Sequence, residues 1–262
     1  MSDTPLHIIK IGGQVIDDPE TCSAFLEALV ALPGHKILVH GGGKMASRLT
    51  QQLHIQSQMH QGRRITDTPT LQVVTMVYAG WINKNLVAQL HALGCPAIGL
   101  SGADANALQT QKRPPTPIDF GWVGDPIPEG VNTDWITDLL IQQKMLPVFC
   151  AITHDGQGQL LNTNADTIAA TLATALAQRF AVRLTFCFEK SGVLLDPEDD
   201  NSCLPRLTQA RYRELIAEGR IAGGMIPKLD NAFATRAAGV AAVRICSATD
   251  LQNPNAGTAI NP

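Results

Sequence analysis

The chain has 262 residues, of which 45% are hydrophobic and 16% are charged, and its net charge is −3. This composition is typical of a globular protein and excludes disordered and collagen-like chains. The sequence contains no run of basic residues, so nothing indicates a nucleic-acid or anionic-lipid partner. No apolar stretch is long enough to span a bilayer, and the first residues lack the pattern of a signal peptide. We therefore expect a cytoplasmic protein with neither a membrane nor a nucleic-acid partner.

Cysteine and histidine usage argues against a protein-bound transition metal. The six cysteines form no C-x-x-C pair, and the seven histidines show no spacing that is typical of metal ligands. Several cysteines lie inside apolar runs, where this residue is most often a small buried hydrophobe. The sequence thus predicts a reducing compartment and no metal centre.

Short apolar runs alternate with helical patterns along the chain, which predicts an α/β protein with a mostly parallel sheet covered on both faces. In chain order, strands are predicted at about 6–11, 36–40, 97–100, 146–150, 183–188 and 241–246. Helices are predicted at about 18–32, 43–53, 68–93, 132–144, 165–179, 208–219 and 227–239. Between them, the prolines and glycines of 107–129 predict a hairpin or a lid.

The first two predicted strands each run directly into a glycine turn that opens a helical pattern. The first turn is Gly12-Gly13 and the second is Gly41-Gly42-Gly43. Free N–H groups at the start of a helix bind anions, and glycine lets a ligand approach the backbone closely. Neither turn has the spacing of a Walker loop or of the dinucleotide fingerprint. The pair favours a phosphoryl group held from two sides; the alternative is two ordinary tight turns.

Two cations near these turns are candidate ligand-binding residues. Lys10 follows two isoleucines at the carboxyl end of the first strand, where open α/β sheets bind ligands. The alternative is an edge-strand lysine whose amine reaches water. Arg64, in the loop after the second predicted helix, can bind a carboxylate through two hydrogen bonds. The alternative for Arg64 is a solvated loop arginine.

Polar side chains crowd the start of the helix predicted at 165–179. Asn162, Asn164 and Asp166 fall within five residues, although one N-cap needs a single polar side chain. We predict that Asn162 reaches the amide and carboxylate of a ligand and that Asp166 orients a neighbouring lysine. The alternative is a helix cap with no further role.

A Gly223-Gly224 turn introduces the last predicted helix, and Lys228 lies in its first turn. A cation at this end opposes the helix dipole, so helix stability does not explain it. We predict that Lys228 is aimed at the anion that the earlier glycine turns hold. The alternative is a solvated lysine.

Taken together, these segments resemble the amino acid kinase family, most closely its members that phosphorylate an N-acylated glutamate. The resemblance runs over essentially the whole chain. The motifs that carry it are Lys10-Ile-Gly-Gly13, His40-Gly-Gly-Gly43, Gly62-Arg63-Arg64, Gly99-Leu100-Ser101-Gly102, Asp119-Phe120-Gly121-Trp122-Val123-Gly124, Asn162-x-Asn164-Ala165-Asp166, Gly224-Met225-Ile226-Pro227-Lys228 and the terminal Gly257-Thr258.

The resemblance implies a fold and two lobes. The fold is a three-layer α/β/α sandwich on an open, mainly parallel eight-stranded sheet. Residues 1–181 would form an N-terminal lobe that binds the acylated amino acid and forms a dimer, and residues 182–262 a C-terminal lobe that binds ATP. Homodimers would form through the long helix after the Arg64 loop. Arginine-inhibited hexamers of the family carry an extra helix before the first strand, which here begins by about Leu6, so we expect a dimer insensitive to arginine.

The resemblance also implies a reaction, in which the γ-carboxylate of N-acetyl-L-glutamate attacks the γ-phosphorus of ATP in arginine biosynthesis. By similarity, Lys10, Asp166 and Lys228 would be catalytic, and Mg²⁺ would arrive with ATP. Gly12 and Gly13 would bind the phosphoryl group. The substrate-binding residues would be Gly42, Gly43, Arg64 and Asn162. The nucleotide-binding residues would be Glu189, Lys190, Ser191, Gly192, Val193, Leu194, Gly223 and Gly224.

Two segments depart from the family pattern. Where many relatives have Asp-Val-x-Gly, this chain has Glu189 in place of the aspartate, followed by a charged Lys190. Residues 101–106 also depart from the commoner Ser-Gly-Lys-Asp. Both departures indicate a branch in which the acyl group is succinyl, so N-succinyl-L-glutamate is the alternative substrate.

Other members of the family fit the sequence less well. Kinases of uridylate, carbamate or aspartate do not explain the motifs around Asn162 and Arg64. A non-catalytic sensor of a nucleotide or an amino acid is a further alternative, which the presence of Lys10, Asp166 and Lys228 disfavours.

Overall fold

A computed structural model describes residues 2–60, 63–196, 198–221, 223 and 225–261, with the side chains of residues 2 and 3 left aside. The strands are β1 (Ser2–Ile11), β2 (His35–His40), β3 (Gln58–His60), β4 (Arg63–Ile65), β5 (Ala97–Leu100), β6 (Leu108–Lys112), β7 (Val123–Val131), β8 (Leu146–Cys150), β9 (Ile152–His154), β10 (Leu160–Thr163), β11 (Phe180–Phe188), β12 (Arg206–Thr208), β13 (Ala242–Ser247) and β14 (Thr258–Asn261). The helices are α1 (Gly13–Asp17), α2 (Pro19–Ala31), α3 (Gly43–Gln52), α4 (Thr68–Thr75), α5 (Asn83–Ala92), α6 (Thr133–Ile141), α7 (Ala165–Leu176), α8 (Gln209–Ala217) and α9 (Met225–Ala237).

An eight-stranded sheet in the order β12-β14-β13-β11-β1-β2-β8-β5 forms the centre of the molecule. The strands from β13 to β5 pair in parallel, and β14 runs antiparallel to β13. Helices lie on both faces. The predicted α/β/α sandwich on an open, mainly parallel eight-stranded sheet is therefore confirmed, and all six strands predicted from apolar runs belong to this sheet.

The centre of the sheet is buried on both faces. Ile8 and Ile9 are successive residues of β1, so their side chains point to opposite faces, and neither is exposed to solvent. The same holds for Ile37 and Leu38 of the neighbouring β2. A strand that is covered on both sides needs apolar residues at every position, which explains why these strands are continuous apolar runs.

The long helix predicted at 68–93 is present but is not regular throughout. Its middle, Met76–Ile82, is a π-helical segment between α4 and α5. A π-helical segment inside an α-helix often lies at a functional site. Gly94, with φ of +73°, follows the helix end as predicted.

A smaller sheet covers the carboxyl edge of the main sheet's N-terminal half. β6 and β7 form an antiparallel hairpin within the region 107–129 and beyond it, which confirms the hairpin prediction. β10 pairs in parallel with β7 and antiparallel with β9, and a contact between β6 and β9 closes the four strands on themselves. This closure brings the segment before α7 next to the hairpin.

Among the residues that the structure describes, no helix combines the length and the apolar character needed to cross a membrane.

Candidate active site

The two glycine turns lie side by side. β1 and β2 are parallel neighbours in which Ile11 pairs with His40, so both turns leave the sheet at the same edge. Gly13 begins α1 and Gly43 begins α3. A Cβ added at either of these two glycines would meet nothing within 4 Å, so the space beside both backbones is open to a ligand.

Gly12 and Gly42, in the same turns, contact neighbouring parts of the protein. The N–H of Gly12 donates to the carbonyl of Cys187 at 3.0 Å, so Gly13 rather than Gly12 is left to offer an N–H to an anion. Gly42 has φ of +151°, and a Cβ there would lie 2.2 Å from Cδ1 of Ile82 and 3.1 Å from the ring of Tyr78. Both of these side chains belong to the π-helical segment, which therefore packs directly against the second turn.

Lys10 and Asp166 form an ion pair between the turns. The Lys10 Nζ lies 2.9 Å from the Asp166 Oδ1, and the side chains are 13% and 16% exposed. Burial alone would raise the pKa of Asp166, but the ammonium groups of Lys10 and Lys228 hold that pKa below its ordinary value. Asn164, two residues earlier, is the N-cap of α7 and accepts from the N–H of Thr167 at 3.0 Å. Capping thus accounts for Asn164 and not for Asp166.

Lys228 lies close to this pair without joining it. Its ammonium lies 4.3 Å from the centre of the Phe188 ring, a cation–π contact, rather than in an ion pair with Asp166. Burial and the positive charge of Lys10 lower the pKa of Lys228, while the carboxylates of Asp166 and Glu189 oppose that shift. Asp166 is therefore in direct contact with Lys10 and affects Lys228 through its charge, and its role in orienting a lysine stays a prediction.

A cleft of about 260 Å³ opens in front of the turns and contains the predicted substrate residues. Arg64 is buried, and its guanidinium donates to the Gly43 carbonyl at 3.0 Å, to Ser47 Oγ at 2.7 Å and to Ser57 Oγ. This arginine is fixed in place rather than solvated. Of the predicted site residues, the cleft is lined by Lys10, Gly13, Gly42, Gly43, Arg64, Asn162 and Asp166.

Asn162 reaches the cleft from the smaller sheet. It belongs to β10, where it pairs with Val123, and its Nδ2 donates to Oγ1 of Thr66 at 3.0 Å. Thr66 follows the hairpin strand that carries Arg64, so the two predicted ligand-binding side chains are held by one connected loop region.

The predicted nucleotide segment lines a second cavity of about 470 Å³. Its wall is largely apolar and includes Lys190, Gly192, Val193 and Leu194 from the segment after β11. The opposite wall is Gly219, Arg220, Ile221 and Met225. Gly223, with φ of +57°, lies between the last two of these, and Gly224 lies outside the described residues.

The residues at the start of this segment contact charged and polar side chains. Lys190 pairs with Asp200 at 3.0 Å, and Oγ of Ser191 donates to the carbonyl of Asp200 at 3.3 Å. The hydrogen bond to Asp200 and the negative charge of that carboxylate raise the pKa of Lys190. Glu189 faces the other way, toward Gln14, and its charge also acts on Lys228.

A buried histidine supports the second glycine turn. His40 is fully buried, and its Nδ1 lies 2.8 Å from the carbonyl of Gly41, while its Nε2 lies 3.1 Å from Nδ2 of Asn83. Burial lowers the pKa of His40 to about 4, so the ring is neutral and donates from Nδ1. Asn83 is the first residue after the π-helical segment and also donates to the carbonyl of Val148 at 2.8 Å.

Comparison with known proteins agrees with this geometry. Residues 5–247 match the sequence model described as the amino acid kinase family. The chain belongs to the amino acid kinase family.

Individual relatives in the family are similar over nearly their full length. The acetylglutamate kinase of Phocaeicola vulgatus is 51% identical over 255 residues, which cover 97% of this chain and 98% of the relative. The crystal structure of smu.665 from Streptococcus mutans UA159 is 26% identical, covers 98% of both chains and has a TM-score of 0.79. Carbamate kinase from Giardia, at 13% identity, 99% coverage of both chains and a TM-score of 0.70, shares the fold.

Three residues of this amino acid kinase site were not predicted. Arg63, Arg113 and Tyr78 line the same cleft as Arg64. Arg113 donates to both oxygens of Asp125 and lies over the Phe120 ring at 5.1 Å. The aromatic residues between 107 and 129 signal an ordered hairpin, but no local pattern shows that its arginine faces the cleft.

Proposed function

We propose that this chain catalyses the ATP-dependent phosphorylation of the γ-carboxylate of N-acetyl-L-glutamate, giving N-acetyl-L-glutamyl 5-phosphate in arginine biosynthesis. The relatives that are about half identical over nearly the whole chain support the choice of substrate. The observation that carries the proposal is the half-buried Lys10–Asp166 pair between two glycine turns, with the ammonium of Lys228 close by.

The chemistry is a transfer between two anions. A γ-carboxylate oxygen of the substrate forms a bond to the γ-phosphorus of ATP, while the bond from that phosphorus to the β,γ-bridging oxygen breaks and its electron pair leaves with ADP. No proton has to move, so catalysis consists of positioning the reactants and of fixed positive charge. Lysine ammonium groups beside the glycine turns supply the fixed positive charge, and free backbone N–H groups help to position the reactants.

The two lysines would stabilise negative charge on opposite sides of the transferred phosphoryl group. We assign Lys10 to the γ-phosphoryl side and Lys228 to the leaving-group side, with Asp166 between them. Because Asp166 is ionised and paired with Lys10, it holds that ammonium in one direction. Open space lies beside Gly13 and Gly43, and their N–H groups are assigned to the phosphoryl group and the attacking carboxylate.

The substrate would bind in the cleft and the nucleotide in the second cavity. Arg64 is fixed by three acceptors, which suits it to bind the α-carboxylate, and Asn162 would bind the amide. The apolar wall of the second cavity suits a nucleotide base. This assignment gives residues 1–181 the acylated amino acid and residues 182–262 the ATP.

Mg²⁺ would accompany ATP. The carboxylates at the site are already engaged, Asp166 with Lys10 and Glu189 with Gln14. In the described part of the chain, no three His, Cys, Asp or Glu side chains are grouped to hold a metal ion. A divalent cation there would be bound mainly by phosphate oxygens and water, and it would reduce the negative charge of the triphosphate.

A second candidate substrate, N-succinyl-L-glutamate, has one observation in its favour. Two arginines besides Arg64, namely Arg63 and Arg113, line the cleft. A succinyl group differs from an acetyl group by a terminal carboxylate, which a guanidinium binds well. A non-catalytic sensor is disfavoured because the paired Lys10 and Asp166 are more than nucleotide binding alone needs.

We further propose a homodimer in the cytoplasm. Leu53, Met59, Met76 and Trp81 are each more than half exposed, and all four fall within 53–81, at the end of α3, in the β3–β4 hairpin and in the long helix. An apolar surface of this kind is typical of a protein interface. The six cysteines are all free, as is usual in a reducing compartment.

The proposal is tested by acyl phosphate formation, trapped as the hydroxamate, with N-acetyl-L-glutamate and N-succinyl-L-glutamate compared side by side. ATP-dependent hydroxamate with either substrate supports the kinase, and the ratio of the two kcat/KM values selects the acyl group. A folded protein that binds ATP but forms no hydroxamate with either would contradict the proposal.

A further inference from the structure

Three side chains from separate elements form a hydrogen-bonded chain beside the glycine turns. The amide of Gln14, in α1, is assigned with its nitrogen toward Glu189, because only that orientation pairs a donor with the carboxylate; the nitrogen then lies 2.7 and 2.8 Å from the two carboxylate oxygens of Glu189, directly after β11. The amide oxygen of Gln14 lies 2.8 Å from the ammonium of Lys44, in the first turn of α3. Gln14 therefore links the two turns, with a cation on one side and an anion on the other.

The position of Lys44 is electrostatically unfavourable for α3 alone. A cation in the first turn of a helix is repelled by the helix dipole. Arg48, four residues later on the same helix, forms a direct ion pair with Asp17 at 3.3 Å. Lys44 instead reaches the carboxylate of Glu189 through a neutral amide, so its charge stays available to another anion.

Chain neighbours of these three side chains line both cavities. Lys44 directly follows Gly43, which lines the cleft, and Glu189 directly precedes Lys190, which lines the second cavity. In a kinase that takes its acceptor from one cavity and its nucleotide from the other, the transferred group must pass between them. The γ-phosphoryl group is the most highly charged anion on that path.

We propose that Lys44 is a third ammonium group that contacts the γ-phosphoryl group of ATP, and that Gln14 and Glu189 are its positioning residues. This inference rests on the proposed kinase function. The amide of Gln14 orients Lys44 without neutralising it, which a direct ion pair would do. Glu189 fixes the amide by accepting from its nitrogen with both oxygens.

The test compares nucleotides with and without a γ-phosphoryl group. We expect Lys44→Met to weaken binding of Mg²⁺–AMP-PNP about tenfold or more, since a charge-assisted hydrogen bond is lost, while ADP binding changes less than twofold. Calorimetric titration gives both affinities, and kcat with saturating ATP should fall as well. Lys44→Arg should restore most of the preference for AMP-PNP, because it keeps the cation. Arg48→Met, which removes a cation from the same helix, should leave both affinities unchanged.

Gln14→Met tests the positioning role. It should reduce the AMP-PNP preference in the same direction as Lys44→Met, and the double variant should lose no more than Lys44→Met alone. Equal losses for ADP and AMP-PNP, or an unchanged ratio in Lys44→Met, would overturn the inference.

The same preparation separates the two proposals. If the wild-type enzyme forms hydroxamate but Lys44→Met keeps the wild-type preference for AMP-PNP, the proposed kinase function stands and the proposed role of Lys44 is wrong. If the wild-type protein forms no hydroxamate but Lys44→Met loses the preference for AMP-PNP, the contact between Lys44 and the γ-phosphoryl group stands and the acylglutamate substrate is wrong. A wild-type protein that binds neither nucleotide overturns both.

Discussion

At the scale of single residues, the site depends on one carboxylate that serves two ammonium groups. Asp166 contacts Lys10 and acts on Lys228 through space, and the two cations together outweigh the effect of burial on its pKa. Because the pKa of Asp166 is lower in the folded protein, its stabilising contribution is complete above the ordinary value of 3.8 and is lost as the pH falls through the lower folded value.

Removing either lysine should affect turnover more than binding. We expect Lys10→Ala and Lys228→Ala each to lower kcat about 10²–10³-fold, because each ammonium meets charge that develops in the transition state. The KM for the acylglutamate should change much less. Steady-state kinetics with both substrates varied checks this, and a variant with the wild-type kcat would show that its lysine takes no part in the reaction.

The pH dependence of turnover should identify Lys228. Its pKa lies below the ordinary 10.5, so we expect kcat to fall on the alkaline side as this ammonium loses its proton. Asp166 opposes that lowering, so Asp166→Asn should move the alkaline limb to lower pH. The profile of kcat between pH 7 and 10 measures the shift. A limb that stays in place, or that moves to higher pH, would contradict the assignment.

The sequence could predict the residues whose positions are unusual in themselves. Lys10 stands in an apolar strand, and Asp166 is one polar residue more than a helix cap needs. Lys44 and Arg113 gave no such signal, because a lysine on a helix and an arginine in a hairpin are ordinary. Their importance comes from residues far away in the chain. Lys44 is linked through Gln14 to Glu189, 145 residues later, and Arg113 lines the same cleft as Asn162, 49 residues later.

At the scale of elements, the second glycine turn and the π-helical segment form one packed unit. Gly42 leaves room for Ile82 and Tyr78, and the residue after the segment, Asn83, holds the histidine that binds the turn. The extra residue per turn of a π-helix changes which side chains face inward. The segment presents the side chains of Ile82 and Tyr78 to the turn, and the residue after it presents an amide to His40.

Gly42→Ala should therefore damage the turn itself. Its Cβ would lie 2.2 Å from Ile82 in a backbone conformation that suits glycine, so we expect a loss of stability of about 1–3 kcal/mol and a large fall in kcat. Gly43→Ala is the matched control for stability, since its Cβ would meet nothing within 4 Å. Urea unfolding of the two variants measures the difference. Equal unfolding free energies would mean that Ile82 moves aside at no cost.

Elements were predictable where their pattern was local. The central strands are apolar at every position, and the helices carry caps and glycine stops, so both could be placed from the sequence. β12 and β14 were not predicted because each is only three or four residues long and begins and ends with polar residues, unlike the apolar β5. The pairing of β7 with β10, which brings Val123 beside Asn162, joins segments almost 40 residues apart and has no local signal.

At the scale of the whole molecule, the exposed apolar side chains are unevenly distributed. The four that are more than half exposed belong to 53–81, whereas Ile127, Ile141 and Ile216 are 37% or 38% exposed and lie elsewhere. This asymmetry supports association through the long helix and the β3–β4 hairpin.

A charge placed on this surface should separate the subunits. We expect Trp81→Asp to convert a dimer into a monomer, because Trp81 is 65% exposed and a buried carboxylate at an interface is costly. Ile216→Asp, on α8, is the matched control and should leave the mass unchanged. Sedimentation velocity measures both variants. A wild-type protein that sediments as a monomer would refute the proposed dimer.

The place of β14 in the sheet has a consequence for biosynthesis. It is the last strand in chain order, yet it lies between β12 and β13. Its Thr258 accepts from the N–H of Val193 at 2.8 Å and donates to the carbonyl of Leu204 at 2.6 Å, directly behind the second cavity. The residues that line the cleft all lie before residue 168, whereas those that line the second cavity lie within 190–225. Residues leave the ribosome in chain order, so the residues of the cleft are synthesised before those of the second cavity, and Thr258, which Val193 contacts, is synthesised after both.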